Sequence, residues 1–228
     1  MIHRYGDHPS QHGELVVPGG EPRGLVVVIH GGFWKAAYGL DLGRPLAADL
    51  VARGWAAWNL EYRRVGDGGG MPATLDDVAA GMDLLPDLGA DLSKVVTLGH
   101  SAGGHLAVWA ASRGGVTAVI SQAGVLDLQS AYADGLGGGA VEAFMGRPPS
   151  DADGGYDPLR QVPLDVPVWC VHAPGDDTVP ISQSRDYVAA AEAAGGRATL
   201  VEVPGDHYTV VDPASEAWAL TIEILEGL

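Results

Sequence analysis

The stretch Val95-Val96-Thr97-Leu98-Gly99-His100-Ser101-Ala102-Gly103-Gly104-His105-Leu106-Ala107 runs from a short β-branched strand, through a serine flanked by glycines, into a helix of small residues. No other segment limits so closely what the chain can become. A serine in the pattern Gly-x-Ser-x-Gly can occupy a strained strand-to-helix turn, because neither glycine carries a Cβ to clash at the tight point. Such a turn lifts Oγ above the sheet edge and aims the next backbone N–H into the same space. With 34 glycines in 228 residues, the five-residue pattern arises easily by chance, so its meaning depends on the rest of the chain.

Apolar runs surround this turn on both sides. Residues 14–18 and 25–29 are expected to form an early strand pair, separated by the turn-rich segment 19–24. Residues 42–53 have helical spacing at Leu46, Leu50 and Val51 and close at Gly54; 55–60 read as a further strand. Thr74 is the expected N-cap of a helix with Asp76 and Asp77 in its first turn, where the helix dipole favours negative charge. Strands are expected at 94–98, 116–121, 166–171 and 198–203, with helices to Arg113, over 182–194 and over 213–225. The β runs are continuously apolar instead of alternating, which predicts a mostly parallel sheet of about seven to eight strands with helices on both faces. Residues 1–228 are accordingly expected to form a single α/β domain. Only 124–158, broken by glycines and prolines, departs from the pattern, as a short, irregular, cap-like insertion.

Composition excludes some functions. A net charge of −16 with 13 scattered basic residues disfavours nucleic acid and anionic membranes. No run reaches the roughly 18 apolar residues of a membrane span, and the first ten residues lack a signal-peptide core, so a cytoplasmic location is expected. The single Cys170 lies in an apolar run and reads as a buried hydrophobe. His3, His8 and His12 lack a cysteine partner and tight ligand spacing, and the glycine-rich loop 66–70 lacks the Lys-Ser/Thr of a phosphate loop. No metal or cofactor is expected.

In a parallel sheet, ligands bind beyond the carboxyl ends of the strands. Four loops there carry the informative residues: His30-Gly31-Gly32-Phe33-Trp34, the Ser101 turn, Pro174-Gly175-Asp176-Asp177-Thr178-Val179-Pro180, and Pro204-Gly205-Asp206-His207-Tyr208. A neutral serine is a poor nucleophile near pH 7 and needs an imidazole to take its proton; His207 is the candidate, with Asp176 or Asp177 fixing its tautomer. The amides of Ala102, Gly32 and Phe33 are placed to meet the oxyanion of a tetrahedral intermediate. Phe33, Trp34 and Tyr208 adjoin this site, and Trp34 and Tyr208 are expected to line a substrate pocket, as are aromatics in 124–158. His30, His100 and His105 read as supporting residues.

These four motifs, in this order, resemble the α/β-hydrolase superfamily, and within it the cap-poor esterases and the arylformamidases of kynurenine formamidase type. The resemblance implies Ser101 as nucleophile, His207 as base and amides near Gly32 as oxyanion donors; its acid stands three residues before the valine, which selects Asp176 over Asp177. The expected function is a serine hydrolase cleaving a small carboxylic ester or aryl amide through an acyl-enzyme. The Phe33-Trp34 pair resembles the arylformamidase oxyanion loop, which makes N-formylkynurenine the leading named alternative substrate. Acyl transfer to an acceptor other than water uses the same residues, and a non-catalytic ligand-binding protein of this fold is the alternative from another class.

Overall fold

The computed structural model describes residues 1–228. In chain order its elements are β1 (Ile2–Arg4), β2 (His12–Val16), β3 (Leu25–Ile29), α1 (Arg44–Ala52), β4 (Ala56–Leu60), α2 (Ala73–Asp83), β5 (Val95–His100), α3 (Ala102–Ser112), β6 (Ala118–Gln122), α4 (Leu128–Ala133), α5 (Leu136–Met145), β7 (Val168–His172), α6 (Ser182–Ala193), β8 (Ala198–Glu202) and α7 (Glu216–Glu226). The eight strands form one sheet in the order β1-β2-β4-β3-β5-β6-β7-β8. Its first two pairings are antiparallel and the remaining five parallel.

Apolar side chains on both faces explain the unbroken apolar runs. Val27 and Ile29 face the larger apolar layer, built with α2 through α6, while Val26 and Val28 face a smaller one closed by Leu46 and Leu50 of α1 and Trp218, Ile222 and Leu225 of α7. Burying one such side chain is worth about 1.5–3 kcal/mol, so a strand covered on both faces is held roughly twice as strongly as a one-faced strand of equal length. On the smaller face the Trp218 indole N–H donates to Asp49 Oδ2 at 2.7 Å, which ties α7 to α1. No helix is long and apolar enough to cross a membrane.

The chain departs from the sequence expectations at four places. The runs 14–18 and 25–29 do not pair: β2 lies against β4, and β3 sits between β4 and β5. Parallel crossovers separate strands that are neighbours in sequence, and apolarity alone carries no information about partner choice. An extra edge strand, β1, precedes them. Thr74 is not an N-cap, because α2 begins one residue earlier; its hydroxyl instead accepts from Gly70 N and donates to Arg63 O. Residues 124–158 hold α4 and α5, the latter entered through left-handed Gly137, Gly138 and Gly139.

The turn between β5 and α3 shows why glycine is needed on each side of Ser101. A Cβ at Gly99 would overlap the Gly103 carbonyl oxygen, and one at Gly103 would overlap the Ile29 carbonyl of the neighbouring strand. Both obstacles are backbone and cannot rotate away. Gly103→Ala should therefore lower the unfolding free energy by about 3 kcal/mol, read from the urea midpoint; a loss below about 1 kcal/mol would mean that the turn yields.

Candidate active site

Ser101 sits at the apex of that turn with φ 56° and ψ −122°, and its own N–H donates to Gln122 O at 2.8 Å. This backbone conformation costs a non-glycine residue about 1–3 kcal/mol and persists only where the surroundings enforce it. Three other non-glycine residues with positive φ, Phe33, Trp34 and Ala123, stand at the ends of β3 and β6 on either side. Strain is thus concentrated around one serine.

Asp176 follows β7. Its Oδ1 accepts the N–H groups of Thr178 and Val179, both at 2.8 Å, so the loop's own backbone fixes the carboxylate plane. Its Oδ2 accepts from His207 Nδ1 at 2.7 Å and lies 3.2 Å from His172 Nε2. Burial alone would raise this carboxyl group's pKa, but hydrogen bonds from His172, His207 and the Val179 amide outweigh it and hold Asp176 well below the usual carboxylate range. Asp177 is exposed and accepts only the Thr178 hydroxyl, at 3.3 Å. With Nδ1–H committed to Asp176, neutral His207 carries its lone pair on Nε2, which has no partner in the protein.

His100 and His172 brace this arrangement. The His100 Nε2–H donates to the carbonyl of His207 at 2.8 Å, and the two rings lie 4.5 Å apart. Burial, followed by the proximity of His207, pushes the His100 pKa down to about 3, so His100 stays neutral and cannot compete as a base. His172, fully buried at the end of β7, donates from Nε2 to Val179 O at 3.0 Å and meets Ser184 Oγ through Nδ1 at 2.8 Å. Sequence reasoning passed over His172 because it ends an apolar strand; its only signal is a position four residues before Asp176. His105 is buried under α5 and donates to Tyr156 O at 2.8 Å.

The amides of Gly32, Phe33 and Ala102 have no acceptor within the protein. Gly31 lets them close on the serine: a Cβ there would stand 2.6 Å from His100 O and 2.9 Å from Ser101 Cβ. Gly32, Phe33, Ser101, His100 and His207 all line one cavity of about 150 Å³. Phe33, Tyr38, Leu42 and Tyr208 form its rim, and buried Val28, Leu46 and Leu98 form its apolar floor. The arrangement can remove a proton from Ser101, hold the resulting imidazolium against Asp176 and present free N–H donors to an oxyanion.

Two expectations about the pocket are corrected. Trp34 does not line it. With φ 55° its side chain turns back beneath the loop, is fully buried, stacks on Phe144 at 4.5 Å and meets His105 edge-on. No residue of 124–158 lines it either: Phe144 of α5 packs against Trp34 and His105, and Gly137 packs against the Phe33 ring without reaching the cavity. The wall comes instead from 38–46, which directly follows the His30–Trp34 loop; adjacency to that loop was the available signal.

A family model described as BD-FAE matches residues 17–190. Among solved structures, the chain is similar to a truncated form of a carbohydrate esterase from gut microbiota (19% identity, TM-score 0.83, covering 99% of this chain and 94% of that one). It is also similar to the thermophilic esterase Est2 of the Planctomycetes species Thermogutta terrifontis (21% identity, TM-score 0.79, 100% and 90% covered). A third likeness is to esterase B from Lactobacillus rhamnosis with a tributyrin phosphonate inhibitor (23% identity, TM-score 0.83, 99% and 83% covered). No curated protein matches the chain. At these identities the likenesses establish the α/β-hydrolase fold.

Proposed function

The chain belongs to the BD-FAE family, and on that premise we propose that it is a serine esterase cleaving a small carboxylic ester through an acyl-enzyme on Ser101. One observation carries the reading: Asp176 fixes His207 with its free Nε2 in the same cavity as Ser101 Oγ and the unpartnered amides of Gly32, Phe33 and Ala102. In the first half-reaction, Oγ attacks the ester carbonyl as its proton passes to His207 Nε2. The carbonyl electrons collect on oxygen, facing the free amides. As the C–O bond breaks, His207 returns the proton to the departing alkoxide, leaving an acyl group on Ser101. Water, deprotonated by the same nitrogen, then releases the acid and regenerates Oγ–H.

The buried apolar floor suits a short acyl chain, and the aromatic rim suits the leaving alcohol. The solved carbohydrate esterase and a butyrate-bound form of Est2 support this division, the first on the alcohol side and the second on the acyl side. Cleavage of an aryl formamide would use the same chemistry, but with Trp34 in the core the aryl contact rests on Phe33 and the tyrosines alone. A panel of p-nitrophenyl esters from acetyl to octanoyl, assayed beside N-formylkynurenine with Ser101→Ala as control, tests the proposal. Turnover should be highest for two to four carbons. No hydrolysis of any ester sinks the reading, and turnover confined to the formamide replaces it with the arylformamidase one.

Because Asp176 stays ionised throughout the range in which an imidazole titrates, kcat/KM should rise with pH on its acid side as one proton is lost from the base, at unit slope. A slope of two would show that the carboxylate titrates with the imidazole.

A further inference from the structure

His30, at the end of β3, is fully buried through its side chain, and both of its ring nitrogens face acceptors. Nδ1 lies 2.8 Å from the carbonyl oxygen of Gly31, and Nε2 lies 2.9 Å from Glu61 Oε1. A carbonyl oxygen has no proton to give. Glu61 has none either: it accepts the N–H groups of Tyr62 and Leu40 at 2.9 and 3.0 Å and is ion-paired with the Arg64 guanidinium at 2.7 Å, which keeps it ionised. The one hydroxyl nearby, of Tyr62, spends its proton on His30 O at 2.7 Å. A neutral imidazole can satisfy only one of these two contacts; the other would set lone pair against lone pair.

Charge counting agrees. At the core of the cluster the carboxylates Glu61 and Asp67 share one guanidinium, Arg64, with Ser10 bridging Arg64 and Asp67 and the His8 ring 3.7 Å from Asp67 on its outer side. A positive His30 offsets negative charge around Glu61. Asp41, from the turn before α1, lies beside Glu61 and Arg64 at Gly39 and adds to the negative side. The Tyr62 ring lies parallel to His30 at 4.4 Å, a face that favours a cation.

We propose that His30 is an imidazolium whose Nδ1–H, by holding the Gly31 carbonyl, aims and polarises the Gly32 N–H as an oxyanion donor. The carbonyl of Gly31 and the N–H of Gly32 belong to one planar trans peptide unit and point in opposite directions. A donor clamped on one end fixes the direction of the other, and a charged donor drains electron density so that the far N–H donates more strongly. His30 touches no substrate. It is a positioning residue that acts through the peptide, anchored by Glu61.

The inference rests on the esterase reading only for its kinetic half; the protonation half is read directly. In the full chain labelled with ¹⁵N-histidine, His30, assigned by its absence in His30→Gln, should show two protonated ring nitrogens at pH 7.5. Wild-type kcat for a short ester should fall on the alkaline side in step with the loss of that proton. His30→Gln should lower kcat about tenfold with KM within about twofold, and should abolish the alkaline limb. Glu61→Gln should move the limb to lower pH; a purely structural role would lower stability without moving it. One unprotonated His30 nitrogen at pH 7.5, or an alkaline limb unchanged in both variants, overturns the proposal. If neither variant folds, His30 is assigned in the wild type by through-bond connection of its ring to the backbone signals of residues 29–31, and the comparison of its titration with the wild-type rate profile decides. Labelling of Ser101 by a fluorophosphonate separates the two failures: an unlabelled protein removes the esterase reading, and a labelled protein with neutral His30 removes this one.

Discussion

Ser101→Ala should lower turnover of a short ester by about 10⁴-fold or more and abolish fluorophosphonate labelling, leaving only the rate that the oxyanion amides and binding supply. Stability should stay near that of the wild type, because alanine inherits both the backbone conformation and its cost. Ser101→Gly should be equally inactive, yet more stable by about 1 kcal/mol, since glycine adopts φ 56° and ψ −122° without a clashing Cβ. Denaturant unfolding of the three proteins checks this. A glycine variant no more stable than the alanine one would show that the turn holds no strain for the serine to bear.

Asp176→Asn should lower kcat by about 10⁴-fold, as expected when a triad acid loses control of the imidazole tautomer. The structure supplies the reason. The Thr178 and Val179 amides hold the Oδ1 position and will bind the carboxamide oxygen there, which turns the new NH₂ group toward His207. His207 Nδ1 must then accept, its proton moves to Nε2, and the nitrogen facing Ser101 is no longer a base. The same NH₂ meets the Nε2–H of His172, so the variant should also lose stability. Asp177→Asn should stay within about twofold of wild type, because that carboxylate is exposed and bonds only its neighbour's hydroxyl. The opposite pair of results would transfer the role to Asp177.

How much of this was legible in the sequence follows from which forces act locally. Strands β3 to β7 could be read because burial on both faces demands unbroken apolar runs, and the Ser101 turn because glycine alone fits at 99 and 103. The placement of Ser101, Asp176 and His207 in loops beyond strand ends could be read because such loops need no packing detail to be located. Strand β1 could not: Ile2 and Arg4 are exposed at the sheet edge and only His3 is half-buried, so the strand carries no apolar pattern. The direction of Trp34 depends on a positive φ that composition does not encode, and it reversed an apparent pocket residue into a core one. The double contact of His30 needed Glu61, 31 residues away, to become visible.

The segment 124–158 is fastened to the chain just after β3 and to α3. Lys35 Nζ donates to Gly137 O at 2.7 Å, Phe144 stacks on Trp34, and His105 holds Tyr156 O. Since none of this segment lines the cavity, the route from solvent to Ser101 crosses only the rim of Phe33, Tyr38, Leu42 and Tyr208. Substrate arrival then becomes a matter of diffusion and collision angle, with no door to wait for. For the proposed acyl-enzyme, product departure would then follow hydrolysis of the bond to Ser101, with no part of 124–158 standing over the cavity.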